Sequence, residues 1–189
     1  MTADLSYREP VRIGFFGHYR KGEKDIDGII QAFLDSHLQG KAELVVQAAP
    51  TGPDDAADME RIMNKYGSEP AVRFIKGKVL GKAWYDLLQS VDVLFLPYSN
   101  ERYLYNWSAV YFNALALYKP VLATAVLNPE ILRSYTVGQE VDLQDLGHLR
   151  QQLGQFLQSY EQMLPTYEAE LKLVNHDFST TMFLKNILK

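Results

Sequence analysis

Residues 11–48 read VRIGFFGHYRKGEKDIDGIIQAFLDSHLQGKAELVVQA. The first six, Val11–Phe16, are a short apolar run rich in β-branched and aromatic residues, which predicts a buried strand. A polar, glycine-containing turn follows. From Asp25 to His37 the apolar residues Ile26, Ile29, Ile30, Phe33 and Leu34 recur at helical spacing. Glu43–Ala48 (ELVVQA) then returns to a strand pattern. Strand, helix and second strand form a βαβ unit, which lays its two strands side by side in parallel.

The alternation continues outward. Thr51–Asp55 is a turn, and Pro53 and Asp54 open a helix that reaches about Tyr66. Val72–Ile75 is a third strand, Gly81–Ser90 a helix, and Asp92–Leu96 (DVLFL) a fourth strand ended by Pro97. A polar and aromatic loop, Tyr98–Asn106 (YSNERYLYN), leads to a helix over Trp107–Tyr118. Pro120–Thr124 (PVLAT) is a fifth strand and Val137–Val141 a candidate sixth. The remainder is helical, Asp145–Leu164 and then Tyr167 to the end, with Pro165 expected to separate the two. The pattern predicts one α/β domain over residues 1–189: a doubly wound, Rossmann-like parallel sheet of about six strands with C-terminal helices. The expected strand order is 3-2-1-4-5-6. Ligands of such sheets bind outside the C-terminal strand ends where the winding reverses, here at the loops after strands 1 and 4.

Composition removes several function classes. With no cysteine among 189 residues, a disulfide framework, a thiolate zinc site and a cysteine nucleophile are excluded. The net charge of −4 argues against nucleic acid as a partner. No apolar run approaches the ~20 residues of a membrane span, and Met1–Pro10 lacks the apolar core of a signal peptide. A cytoplasmic location is expected, with peripheral contact at the inner membrane face left open. His18, His37, His148 and His176 are scattered without metal-ligand spacing. Neither a G-x-G-x-x-G fingerprint, a P-loop nor a G-x-S-x-G elbow occurs.

The loops carry the candidate site. Gly17-His18-Tyr19-Arg20-Lys21-Gly22 puts two glycines, two fixed cations and an imidazole just ahead of a helix N-terminus, a combination suited to a diphosphate. The plain alternative is solvated cations in a glycine turn. Lys76–Lys82, after strand 3, offers glycines for close backbone approach and lysines for phosphate, and a solvated turn explains it equally well. After strand 4, Ser108 opens a helix whose first amides can meet an anion. Tyr98, Tyr103, Tyr105 and Trp107 supply walls for a sugar or a base, or simply pack the loop onto the sheet. Glu101, the loop's only acid, is a ligand contact or a surface carboxylate paired with Arg102.

Three stretches resemble one family. Ile13–Phe33 (IGFFGHYRKGEKDIDGIIQAF), Val72–Pro97 (VRFIKGKVLGKAWYDLLQSVDVLFLP) and Asn113–Thr124 (NALALYKPVLAT) follow, in order, the segments of the C-terminal, donor-binding domain of GT-B-fold retaining glycosyltransferases, the glycosyl transferases group 1. The resemblance covers about two thirds of the chain. It implies a nucleotide diphosphate sugar as substrate, with no separate cofactor and no metal. It puts Gly17, His18, Arg20 and Lys21 at the diphosphate, Gly77 and Lys78 near the base, and Ser108 at the donor phosphate and sugar. Glu101, Tyr105 and Asn113 complete the expected donor-binding set. The sequence departs from the family's E-x7-E pair, with Tyr105 at the first position and Asn113 at the second. His18 stands where an arginine is common, and Tyr118 replaces a glycine.

The resemblance also implies an N-terminal acceptor domain or partner subunit, absent from this chain. Leu171, Val174, Phe178, Met182, Phe183 and Ile187, in Tyr167–Lys189, carry more apolar area than one stripe of a small domain needs; most are expected to cover the sheet, and part of the segment to be left as an apolar patch for that domain. The resulting expectation is the donor-binding half of a glycosyltransferase acting in polysaccharide or glycoconjugate synthesis. The rivals are a degenerate binding or scaffolding module and a nucleotide-sugar epimerase on the same fold.

Overall fold

The computed structural model describes residues 5–38 and 40–187, without the side chains of Arg102, Phe183, Asn186 and Ile187. Among the described residues, six strands form one sheet: β1 (Val11–Tyr19), β2 (Ala42–Pro50), β3 (Val72–Phe74), β4 (Val93–Leu96), β5 (Val121–Ala123) and β6 (Gly138–Glu140). Their order is β3-β2-β1-β4-β5-β6, and every neighbouring pair is parallel. This is the expected doubly wound order. The inner strands β4 and β5 are apolar along their whole length because helices cover both faces of a parallel sheet. All four residues of β4 are buried, as are all three of β5.

The connecting helices are α1 (Ile26–Asp35), α2 (Pro53–Tyr66), α3 (Gly81–Gln89), α4 (Ala109–Ala116), α5 (Pro129–Ser134), α6 (Leu146–Asp177) and α7 (Thr180–Ile187). Their starts follow local chemistry. The Asp25 carboxylate accepts from the Gly28 N–H, and Asp145 accepts from the N–H groups of Gly147 and His148. Pro53 occupies the first turn of α2, where its missing N–H costs nothing. None of the described helices is long and apolar enough to cross a membrane.

Three expectations are corrected. First, β1 runs through Tyr19, so Gly17 and His18 belong to the strand, opposite Ala48 and Ala49 of β2. Second, α5 was not anticipated, although Asn128-Pro129 is a helix-start pair. Third, Pro165 does not separate two helices: α6 is continuous for 32 residues with Pro165 inside. A helix-interior proline costs about 3 kcal/mol. Leu149, Leu153, Phe156, Tyr160 and Leu164 before it, and Tyr167, Leu171 and Val174 after it, are all buried. Each such burial contributes roughly 1.5–3 kcal/mol, so one unbroken apolar stripe outweighs one lost hydrogen bond.

Tyr111 on α4 is 0% exposed, and its hydroxyl has no hydrogen-bond partner among the described residues. An unsatisfied buried hydroxyl costs about 1–3 kcal/mol. Tyr111→Phe is therefore expected to raise the melting temperature by several degrees, read by calorimetry or circular dichroism. A lower melting temperature would show that the hydroxyl is satisfied.

Candidate functional site

The C-terminal ends of β1 and β4 open into a cavity of about 520 Å³, well within the range of ligand sites. Gly17 and Lys24 line it from β1 and the turn behind it, and Gln47 and Ala49 from β2. Lys78 to Gly81 and Trp84 make a second wall. Tyr98, Tyr103, Trp107 and the start of α4 make a third. Tyr98 and Tyr103 meet edge to face at 4.5 Å, which fixes the loop after β4.

Lys24 is the dominant electrostatic feature. It is 6% exposed. Its Nζ donates to the His18 carbonyl at 2.9 Å and lies 4.5 Å from the Tyr98 ring centre and 5.4 Å from that of Phe15. Among the described residues no carboxylate lies within ion-pair distance of it. Burial pulls its pKa down to about 8, against a small opposing pull from Glu23. Charged groups in the cavity wall are Arg20, Lys24, Lys78 and Glu23, so positive charge prevails.

The start of α4 adds directed donors. Asn128 is buried and its Oδ1 accepts from the Ser108 N–H at 3.3 Å, while the Ser108 Oγ accepts from the Tyr111 N–H at 3.3 Å. The amides of Ala109 and Val110, both in the cavity wall, have no intrahelical acceptor. The positive end of the helix dipole lies there as well. Among the described residues there is no cluster of His, Asp or Glu able to hold a metal ion.

Of the candidates named from sequence, the cavity gathers Gly17, His18, Arg20, Lys78, Ser108 and Asn113. Arg20 is exposed and faces Glu23 at 3.6 Å. Four candidates are placed elsewhere. Lys21 is exposed, and its own N–H donates to Asp55 Oδ1 at 2.9 Å, which turns the residue toward α2. Gly77 borders a separate cavity of about 380 Å³ beside α2 and β3. Glu101 and Tyr105 are the ends of a tight 3-10 turn that directs Tyr103 inward and leaves both of them exposed, Tyr105 by 89%. The side chain of Arg102, the alternative partner of Glu101, lies outside the described residues.

Lys24 and Gln47, both in the cavity wall, are among the lining residues not singled out from sequence. Lys24 sits in a charged run, Glu23-Lys24-Asp25, indistinguishable from a solvated turn. Gln47 did leave a signal, being a polar residue inside an otherwise apolar strand. At the rim, Trp107 stacks on Phe112 at 4.6 Å, and Phe178 meets both rings edge-on at 6.3 and 5.7 Å. Leu171 and Val174 are buried in the core, whereas Leu173, Phe178 and Leu184 are exposed by 46–49%. Met182 is half-buried; the side chains of Phe183 and Ile187 lie outside the described residues.

A family model described as glycosyl transferases group 1 matches residues 10–159. No curated protein matches the chain by sequence. Among solved structures, the C-terminal domain of the glycosyl transferase group 1 family protein LpcC from Francisella tularensis is similar, with a TM-score of 0.69 and 20% identity over 90% of this chain and 87% of that one. HepE from Anabaena, solved in complex with UDP-glucose, gives a TM-score of 0.70 at 15% identity over 95% of this chain and 48% of its own. WaaG, a glycosyltransferase involved in lipopolysaccharide biosynthesis, gives 0.61 at 20% identity over 92% and 44%. The chain thus matches LpcC's C-terminal domain over most of its length and spans about half of HepE.

Proposed function

This chain belongs to the glycosyl transferases group 1 family, and from that premise we propose that its cleft holds the donor of a glycosyl transfer, a nucleoside diphosphate sugar. The observation that carries this reading is the buried Lys24 ammonium. A cation withdrawn from water and left with one carbonyl and two ring faces is incompletely compensated. A diphosphate supplies the missing counter-charge, and the free amides of Ala109 and Val110 supply hydrogen bonds to it. Trp84 and the residues from Lys78 to Leu80 offer a wall for the base.

On this reading the protein's own cations meet the donor charge. The same groups stabilise the negative charge that develops on the diphosphate as it departs, the sugar passing to an acceptor hydroxyl. Asn113, on the cavity wall, can hydrogen-bond a donor hydroxyl but supplies no carboxylate. That residue also favours a second reading, a module that binds the donor without transferring the sugar. Because the chain spans about half of HepE, the acceptor side of the cleft belongs to a further domain or subunit. The exposed aromatic rim of Trp107, Phe112 and Phe178 is a face against which it would close.

Calorimetric titration with UDP, GDP and ADP, each beside its nucleoside, tests the donor reading. One diphosphate should bind well above its nucleoside; no heat with any of the three overturns it. The pH profile tests Lys24. Its free-state pKa is about 8, and a bound diphosphate raises it. Below that pH the ammonium is present in both states, so affinity is level. Above it, binding requires proton uptake, and affinity falls with rising pH by at most about tenfold per unit. A profile level from pH 7 to 9.5 would show that Lys24 does not face the phosphates.

A further inference from the structure

Gln47 is 2% exposed, in the middle of a strand whose neighbouring residues Leu44, Val45, Val46 and Ala48 are apolar and buried. Both ends of its amide are engaged, one by Gly17 in the cleft wall and the other by Gly77, the residue just before the opposite wall at Lys78. Oε1 accepts from the Gly17 N–H at 3.3 Å, and Nε2 donates to the Gly77 carbonyl at 2.7 Å. The amide orientation follows from its partners, since Gly17 N only donates and Gly77 O only accepts. Both partners are glycines at positive φ, +124° and +81°, so at neither does a side chain pack to hold the turn. A Cβ on Gly77 would meet nothing within 4 Å. Among the described residues, the bond from Gln47 is the only side-chain hydrogen bond that reaches the stretch 76–80.

We infer that Gln47 is a positioning residue that pins the loop after β3 to the end of β1 and so sets the width of the donor cleft, an inference that rests on the donor reading above. Gly17 lies on the side of Lys24, while Lys78, Val79 and Leu80 form the opposite wall. One side chain spans β2 and couples the two. Besides this bond, residues 76–80 are held by Val79, partly buried against the core, and by the Ile75 N–H bonded to the Val46 carbonyl just before them, so loss of the pin lets the wall between those anchors drift. A ligand that must touch both walls then binds more weakly, although Gln47 need not touch it.

The test uses the full chain with UDP as the probe. Gln47→Met keeps the length and removes both hydrogen bonds. It is expected to weaken UDP binding about tenfold, the worth of one to two such bonds, and to speed amide exchange at Gly17 and across 76–81 while the β4 amides stay protected. Gln47→Glu separates the pin from mere burial. Its ionised carboxylate repels the Gly77 carbonyl, whereas the protonated acid is isosteric with glutamine, accepting from Gly17 and donating to Gly77. Its affinity relative to wild type should therefore recover on acidification from pH 8 to 5.5, while Gln47→Met stays weak throughout. Wild-type affinity and exchange in a folded Gln47→Met variant would overturn the pin. If Gln47→Met fails to fold, absence of recovery in the glutamate variant overturns it. If wild-type protein binds no nucleotide, the donor reading fails, and exchange at Gly17 and 76–81 still decides whether Gln47 joins the walls.

Discussion

Lys24→Met is expected to weaken UDP binding about 100-fold without lowering the melting temperature. A charge-assisted hydrogen bond contributes about 1.5–3 kcal/mol, or roughly 10- to 150-fold in affinity. The upper part of that range applies because Lys24 is already desolvated before the ligand arrives. Stability is not expected to follow. Displacing an ordinary lysine value of 10.5 to about 8 disfavours the charged form in the folded chain by roughly 3 kcal/mol at neutral pH. Methionine keeps the apolar stem against Phe15 and Tyr98 and removes the buried charge. It forfeits the charge-assisted hydrogen bond to the His18 carbonyl, worth about 1.5–3 kcal/mol, so the balance is close to neutral. Calorimetry and a thermal melt on the same preparation check both halves. Unchanged affinity would remove Lys24 from the site, and a large drop in melting temperature would make it a structural residue. Lost binding at little change in stability is the signature sought.

Gly138→Ala is expected to destabilise the fold by more than about 4 kcal/mol, in the range reserved for gross steric or packing failure. Gly138 opens β6 and pairs with Val121 of β5. A Cβ there would sit 1.9 Å from the Val121 carbonyl oxygen and 2.8 Å from its carbonyl carbon and its nitrogen. These are backbone atoms of a strand whose three residues are all 0% exposed, so they cannot move aside without disturbing the sheet. Urea unfolding of the variant measures the loss. Gly154→Ala is the matched control: it lies inside α6, a Cβ would meet nothing within 4 Å, and alanine is favoured in a helix by about 1 kcal/mol. Comparable losses for both variants would show that the contact with Val121 is not the cause.

The sheet was legible because its determinants are local and periodic. Apolar runs at Val11, Glu43, Val72, Asp92 and Pro120, separated by helical spacing, leave few arrangements once crossovers are right-handed, and the observed order β3-β2-β1-β4-β5-β6 is one of them. The family was legible for a similar reason: its segments keep their order and spacing along the chain, and the match over residues 10–159 bears out the resemblance. The C-terminal helices were read less well. Pro165 signals a break locally, but the side chains that override it are buried on both sides of it by the rest of the domain.

The site divides along the same line. Sequence alone pointed to the strand ends at which the cleft opens, since topology follows from chain order and handedness, and six of its ten candidates, Gly17, His18, Arg20, Lys78, Ser108 and Asn113, line that cleft. Only the tertiary structure decided which cation is buried there. Lys21 and Lys24 stand three residues apart in one polar turn and look alike in the sequence. Asp55, from the start of α2, takes the Lys21 amide, and that residue is exposed. Tyr98, arriving from the far side of the sheet's reversal point, lays its ring over Lys24 and shuts it from water. Desolvation is a property of what covers a group, and what covers Lys24 is contributed by a strand end remote in sequence, so no local pattern could distinguish the two lysines.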